Sequence, residues 1–107
     1  MAVQLYSKLG PVFKPIEHDR KENMKGSSFI YLPAIGVASE FQGQGFGSRL
    51  LGALIIESER AGIPLYLETE SEGNVRWYEK FGFESIKQVN LPVLNLPMWE
   101  MVRKPKT

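Results

Sequence analysis

Residues 42–47 read Gln42-Gly43-Gln44-Gly45-Phe46-Gly47 and lead directly into an amphipathic helical pattern. Glycine allows the backbone to turn tightly and to come close to a ligand. The first turn of the following helix offers unpaired N–H groups and the positive end of the helix dipole, which together bind anions. With Ser48 at the helix start, the stretch is suited to hold a phosphate or pyrophosphate; the alternative is a glycine-rich connector without a ligand.

On either side of this loop, apolar strand patterns alternate with helical ones. The predicted strands and helices are a strand over 29–38, a helix over 47–61 ended by Gly62, a strand over 64–69, a helix over 75–81 closed by Gly82, and strands over 83–91 and 98–103. A proline-bounded loop joins the last two strands, plausibly as a hairpin, and residues 71–74 read as a turn. This order predicts an α/β fold with a mixed sheet, in which Trp99 and Met101 pack on one sheet face.

The first 28 residues have the weakest pattern of the chain. Pro11 and Pro15 interrupt helical periodicity, so we expect a short helix or an extended arm over residues 3–9, followed by a loop. Residues 1–28 are therefore predicted as an N-terminal arm and residues 29–107 as the core domain. His18 is predicted at the surface, and Arg103 is predicted to begin a solvated, charged tail.

Composition excludes several classes of protein. The 107 residues carry 13 Lys and Arg against 12 Asp and Glu, and this near-neutral balance gives no argument for nucleic acid or a membrane as partner. The absence of cysteine and the single histidine exclude thiolate and multi-histidine metal sites. No apolar run approaches the ~20 residues that cross a bilayer, and the first residues do not resemble a signal peptide. We therefore expect a cytoplasmic protein without a metal.

Two nucleotide-binding motifs compare poorly with the glycine loop. A P-loop has Lys and then Ser or Thr after its last glycine, whereas Gly47 is followed by Ser48 and Arg49. A dinucleotide fingerprint reads G-x-G-x-x-G, whereas this loop reads G-x-G-x-G. Glu68 stands at about the distance of the ribose-binding acid, so the second alternative is weakened and not eliminated.

The loop resembles the [Arg/Gln]-x-x-Gly-x-[Gly/Ala] signature of the GNAT superfamily of N-acetyltransferases. Ile35-Gly36-Val37 stands where that family has a splayed strand, and residues 74–83 (Asn74-Val75-Arg76-Trp77-Tyr78-Glu79-Lys80-Phe81-Gly82-Phe83) are similar to its Asn…Tyr-Glu-x-x-Gly-Phe segment. Two motifs in the correct order make the resemblance specific, and it covers about residues 31–103. It implies the C-terminal half of the GNAT fold.

The resemblance implies acetyl-CoA as a cosubstrate. Family members bind the pyrophosphate of CoA through the loop and the first helical turn, which implies the residues Gln42, Gly43, Gln44, Gly45, Phe46, Gly47 and Ser48. The pantetheine arm pairs with main-chain groups of the splayed strand like an added β-strand, which implies Ile35 and Val37. Asn74 is a further candidate for contact with CoA. It precedes Tyr78 by four residues instead of the seven found in many relatives, so a role as a helix cap or turn residue is equally consistent.

The resemblance also implies direct transfer of the acetyl group to an amine. The amine must be neutral to attack, and Glu68, at the end of its strand, is the candidate base. Tyr78 matches the tyrosine that protonates the departing thiolate. The alternatives are a solvated acid for Glu68 and a core aromatic for Tyr78.

Only about 28 residues precede the first strand, whereas a GNAT domain begins with a strand, two helices and two further strands. We therefore expect the acceptor-binding half to be absent or reduced. Two hypotheses follow: an acetyl-CoA-dependent N-acetyltransferase with an unidentified amine acceptor, or a non-catalytic acyl-CoA-binding or interaction module. Because an unpaired apolar edge strand is generally avoided, we also expect residues 1–28 to cover the 29–38 strand, or a second copy to pair with it as a homodimer.

Overall fold

A computed structural model describes residues 2–32, 46–92 and 94–106 of the chain, with side chains described for 12–32, 48–92 and 94–106. The elements in chain order are α1 (Ala2–Asn23), β1 (Ile30–Leu32), α2 (Phe46–Ala61), β2 (Leu65–Thr69), α3 (Glu72–Glu79), β3 (Glu84–Leu91) and β4 (Leu96–Arg103). The predicted α/β class is confirmed.

The four described strands form one mixed sheet in the order β1-β2-β4-β3. β1 pairs with β2 in parallel over three residues, from Ile30 opposite Leu65 to Leu32 opposite Leu67. β4 pairs antiparallel with both β2 and β3, so β3 and β4 form the predicted hairpin. The predicted first strand, 29–38, is thus described only over 30–32, because residues 33–38 lie outside the described part of the chain.

The prediction of a short N-terminal helix is wrong, because α1 continues through both prolines to Asn23. Each proline removes one backbone donor and crowds the carbonyl four residues earlier, at a cost of about 3 kcal/mol. The cost is offset by tertiary packing: Val12 and Ile16 are buried in a cluster with Leu91 and Met98 of the hairpin. No helix in the described ranges is long and apolar enough to cross a membrane.

The main hydrophobic core lies between the sheet and the helices α2 and α3. Its buried members are Leu32, Leu51, Leu65, Leu67, Tyr78, Phe83 and Met101, and Trp99 packs against them. The positions of Leu65 and Leu67 alternate along β2, as expected for residues that point to one face of a strand. The prediction that Trp99 and Met101 share a sheet face is confirmed.

The opposite face of the sheet packs against α1. Val12 and Ile16 of α1 are buried there, and the buried Met24, in the turn that follows the helix, contacts Tyr66 and Val102. Because β2 alternates, its residues Tyr66 and Glu68 belong to this face. The described residues therefore form three layers, with one helix on one side of the sheet and two on the other.

Two local predictions need correction. The 71–74 segment is not a turn before the helix: Ser71 caps α3, its hydroxyl accepting a hydrogen bond from the Asn74 N–H, and the helix begins at Glu72. Arg103 is buried and not part of a solvated tail, because its guanidinium donates to Glu59 and to the Phe81 carbonyl at 2.7 Å each. The predicted surface position of His18 is confirmed.

Candidate active site

Glu68, the predicted base, lies on the face of the sheet that packs against α1 and is only 4% exposed. The guanidinium of Arg20, from α1, donates to both carboxylate oxygens of Glu68 at 3.2 Å. The hydroxyl of Tyr31, from β1, donates to Oε1 at 2.6 Å. The alternative of a solvated acid at the strand end is therefore wrong, because three elements enclose this carboxylate.

Burial is the main influence on the ionisation of Glu68. Desolvation raises the pKa of Glu68 above its usual range, and the hydrogen bond from Tyr31 and the charge of Arg20 lower the pKa only in part. A raised pKa makes a carboxylate a better proton acceptor near neutral pH. The position thus combines burial with a specific charge partner, which is typical of functional carboxyl groups.

Tyr78, the predicted acid, lies in α3 on the other side of the sheet. Its ring is fully buried in the main core and makes edge contacts with Trp77 and Phe83, at 5.0 and 5.5 Å between ring centroids. Burial, and then the charge of Glu70, raise the pKa of Tyr78 to about 12. The phenol is therefore protonated at neutral pH. The position of its ring is that of a core aromatic, as the alternative expected, and its role as the acid stays a prediction.

Glu68 and Tyr78 lie on opposite faces of the sheet. The described pairing of β1 with β2 ends at Leu32 and Leu67, one residue before Glu68. Groups on the two faces could act on one substrate only where neighbouring strands separate and leave an opening.

The glycine loop lies largely outside the described residues. Six residues predicted to contact CoA are outside the described part of the chain: Ile35 and Val37 of the predicted strand, and Gln42, Gly43, Gln44 and Gly45 of the loop. The helix that follows the loop begins at Phe46, includes Gly47, and carries no acidic residue in its first turn. Ser48 and Arg49 are exposed there. The first turn of α2 therefore fits an anion, because its N-terminal N–H groups face no competing carboxylate of that turn.

Asn74 occupies the first turn of α3. Its side-chain amide donates to the Thr69 hydroxyl at 3.2 Å, which ties the start of the helix to the end of β2. Asn74 therefore lies within the helix, so it is neither the cap, which is Ser71, nor a turn residue before the helix. Its contact with CoA stays a prediction.

Sequence reasoning missed Arg20 and Tyr31. The guanidinium carbon of Arg20 lies 3.9 Å from the centroid of the Tyr31 ring, so the two residues also contact each other directly. Two signals were present. Tyr31 is the central residue of an alternating strand, so it faces away from Ile30 and Leu32. Arg20 follows Val12 and Ile16 at steps of four residues, which places all three on one face of a helix.

A second buried carboxyl group, also missed, lies near the first. Glu100 of β4 is fully buried and accepts a hydrogen bond from Asn23 at 3.2 Å, and none of the described residues donates a hydrogen bond to its second oxygen. Burial, and then the nearby Asp19, raise the pKa of Glu100 to about 8. Asp19 itself pairs with Lys87 at 3.2 Å. No group of three or more acidic or histidine side chains suited to a metal occurs within the described ranges.

Comparison with known proteins identifies the class. The family model described as "Acetyltransferase (GNAT) domain" matches residues 14–85, which is more than half of the chain. The chain therefore belongs to the GNAT acetyltransferase family, and the resemblance seen in the two motifs is confirmed. The predicted boundary between residues 28 and 29 stays a prediction.

Individual relatives agree with this assignment. The chain is 32% identical over 100 residues to an uncharacterized N-acetyltransferase of Schizosaccharomyces pombe, a match that covers 89% of the chain and 40% of the relative. The ribosomal-protein-S18-alanine N-acetyltransferase of Escherichia coli superimposes with a TM-score of 0.53 at 25% identity, over 64% of this chain and 49% of that one. The match to the curated relative thus covers less than half of that protein's length.

A more distant structure supports the fold alone. The NatC complex bound to Gag peptide and CoA matches with a TM-score of 0.51 at 23% identity, over 62% of this chain and 44% of that one. The mixed sheet with helices on both faces is therefore a GNAT-type sheet.

Proposed function

We propose that the chain transfers an acetyl group from acetyl-CoA to an amine, with Glu68 as the base and Tyr78 as the acid. The observation that carries the proposal is the environment of Glu68. Its carboxylate is buried at the end of β2 and has a raised pKa, at the position where the family resemblance expects a base. The solved relative that contains CoA supports the choice of cosubstrate.

The chemistry needs few groups from the protein. The amine gives up a proton towards Glu68, and its nitrogen then attacks the carbonyl carbon of the thioester, so a C–N bond forms as the C–S bond breaks. Tyr78 donates a proton to the leaving sulfur, and the second proton that the nitrogen loses as the amide forms restores the Tyr78 phenol. The first turn of α2 would hold the pyrophosphate, because helix N-termini bind phosphate through backbone N–H groups.

Binding and turnover test the two hypotheses separately. Calorimetry with acetyl-CoA measures binding, and a thiol assay of CoA release against a panel of amines measures transfer. We expect binding, and CoA release with at least one amine. No binding at millimolar acetyl-CoA would contradict both the enzyme and the acyl-CoA-binding module, whereas binding without turnover would support the module.

Substitution of the base gives a sharper test. Glu68→Gln retains the shape of the side chain and removes its basicity, and we expect kcat to fall by about 10²–10⁴-fold, the range for loss of a general base. Acetyl-CoA affinity should stay within about twofold of the wild type, because Glu68 lies on the face opposite α2. The matched control is Glu57→Gln, since Glu57 is a surface acid of α2 with 61% of its side chain exposed; its kcat should not change.

We also propose that a second copy of the chain pairs with β1. Within the described residues β1 has a strand neighbour on one side only, and α1 packs on the sheet face and adds no strand to this edge. Light scattering across a concentration series is expected to give the mass of a dimer. A monomer at all concentrations would contradict this pairing and leave the proposed chemistry untouched.

A further inference from the structure

The carboxylate of Glu68 is closed to direct contact with a substrate. Only 2% of its side chain is exposed, and among the described residues its hydrogen-bond partners are Arg20 and Tyr31. A general base must come within hydrogen-bond reach of the proton that it removes, or reach it through one intermediate group. An intermediate group is therefore required if Glu68 acts as the base.

Tyr31 has the properties of that group. Its side chain is 43% exposed, while its hydroxyl lies 2.6 Å from Oε1 of Glu68. The hydrogen bond thus joins a buried carboxylate to a residue that is partly exposed. Arg20 cannot substitute for Tyr31, because a guanidinium has five donors, no acceptor, and no accessible neutral form.

Arg20 holds the other two groups in place. Its guanidinium contacts the face of the Tyr31 ring, 3.9 Å from the centroid, and donates to both oxygens of Glu68. The cation thus fixes the ring and the carboxylate relative to each other. The hydroxyl of Tyr31 points at the carboxylate without any change of side-chain conformation.

We propose, building on the acetyl-transfer function above, that Tyr31 relays the proton of the acceptor ammonium group to Glu68. The ammonium proton moves to the phenol oxygen as the phenol proton moves to Oε1 of Glu68. The products are a neutral amine, a protonated Glu68 and an unchanged phenol, so charge and atoms balance. After transfer, the same path in reverse returns the proton from Glu68 to solvent.

The relay does not require a tyrosinate. Burial, and then the hydrogen bond and charge of Glu68, raise the pKa of Tyr31 well above its usual range. The phenol therefore keeps a proton throughout, and the two transfers occur together. The pKa of Glu68, raised by burial, favours the protonated carboxyl group at the end of the relay.

Two amines of different basicity test the relay in the 107-residue chain. The first is an acceptor from the panel with a conjugate-acid pKa of about 10, and the second is its fluorinated analogue with a pKa of about 6, which is already neutral at pH 7.5. In Tyr31→Phe we expect kcat/KM to fall by about 100-fold for the first amine and by less than about threefold for the second. The control Tyr66→Phe removes a hydroxyl from the same sheet face, where it accepts a hydrogen bond from Asn23. Its kcat/KM should stay within about twofold of the wild type for both amines.

Each outcome leads to a different conclusion. Equal losses for the two amines would make Tyr31 a positioning residue and overturn the relay, and no loss for either would overturn it as well, while acetyl transfer would stand in both cases. A wild-type chain that binds acetyl-CoA and releases CoA with neither amine would overturn the proposed function and the relay with it. Tyr31→Phe keeps the ring under Arg20 on a half-exposed surface, so the variant is expected to fold; its thermal unfolding should match the wild type within a few degrees.

Discussion

The two faces of the sheet differ in chemistry although the same strands form both. On the face toward α2 and α3, β2 and β4 contribute Leu65, Leu67 and Met101 to an apolar core. On the face toward α1 they contribute Glu68 and Glu100, both buried. Alternation along a strand allows this difference, because neighbouring residues point to opposite sides. The face toward α2 and α3 is thus largely apolar, whereas the face toward α1 also holds two buried carboxyl groups.

The polar face is costly to maintain. A buried carboxylate loses its hydration and needs a paired charge or hydrogen bonds in exchange. Glu68 has Arg20 and Tyr31 as partners, whereas Glu100 has Asn23 and the acidic Asp19. Through Arg20, α1 favours the charged form of Glu68. Through Asp19, the same helix favours the protonated form of Glu100. α1 is thus as necessary to the candidate site as the strands.

The largest expected effect comes from the apolar face. Leu51 is fully buried and its neighbour Leu50 is 45% exposed, so the two positions of α2 form a matched pair. We expect Leu51→Ala to lower the free energy of unfolding by about 3–4 kcal/mol, because it leaves a cavity in the core. Leu50→Ala should change it by less than about 1 kcal/mol. Urea denaturation measures both, and equal effects would mean that the core does not lie between α2 and the sheet.

On the polar face, the largest effect is expected at Arg20. Arg20→Ala leaves Glu68 buried without its cation, and we expect a loss of about 2–3 kcal/mol at pH 8, below the ~3–5 kcal/mol of fully buried pairs because 18% of the Arg20 side chain is exposed. The loss should be smaller at pH 5 than at pH 8, because a larger fraction of Glu68 is protonated at the lower pH and a protonated carboxyl group needs no cation.

The control for Arg20 is Arg60, which pairs with Glu57 at 3.3 Å in solvent. Arg60→Ala should cost less than about 0.5 kcal/mol at either pH. Chemical denaturation at the two pH values measures both variants. A loss at Arg20 that is independent of pH would indicate that packing of α1, and not the charge of Glu68, is responsible.

A pH-dependent effect of intermediate size is expected at Glu100. Its pKa is raised from 4.5 to about 8, so the folded protein holds a proton that the unfolded chain releases between these values. The free energy of unfolding therefore falls as pH rises from about 4.5 to 8, and the raised pKa of Glu68 acts in the same direction. The hydrogen bond with Glu100 lowers the pKa of Asp19 below 3.8. Asp19 therefore stays charged between pH 4.5 and 8 and does not contribute to this change.

Glu100→Gln isolates the contribution of this residue, because glutamine imitates the protonated acid. We expect the variant to match the wild type near pH 4.5 and to be more stable by about 1–3 kcal/mol at pH 9, the cost of burying a polar group that lacks a hydrogen-bond partner. Thermal unfolding across the pH range measures the difference. A variant less stable than the wild type at pH 9 would show that the charged carboxylate is stabilised in the fold.

The smallest effect is expected at the cap of α3, the helix that carries Tyr78. Ser71→Ala removes the hydroxyl that accepts from the Asn74 N–H and should cost about 0.5–1 kcal/mol. Glu72→Gln, one residue on and exposed, is the comparison and should cost less. If the two changes lowered the stability equally, the helix dipole and not the cap would be the cause of the loss.

The apolar face was largely predictable from the sequence. The sequence predicts a helix from leucines at helical spacing in 47–61, and strands from the apolar segments 64–69 and 98–103. The structure confirms all three elements, with bounds that agree within about two residues. Helix α1 was not predictable, because Pro11 and Pro15 oppose it locally and its support comes from contacts with a hairpin some 75 residues away. Arg103 was misjudged for a similar reason: its partner Glu59 is distant in sequence.

The sequence by itself determined the family, since the loop and the Tyr78 segment are local motifs whose spacing is visible in the chain. It also determined which residue types were available as base and acid. Only the tertiary structure decided that Glu68 is buried, that Arg20 and Tyr31 are its partners, and that Tyr78 lies across the sheet. The physical reason is that burial and charge pairing depend on segments far apart in sequence, so the pKa of Glu68 follows from the packing of α1 and β1 on β2 and not from its neighbours in the chain.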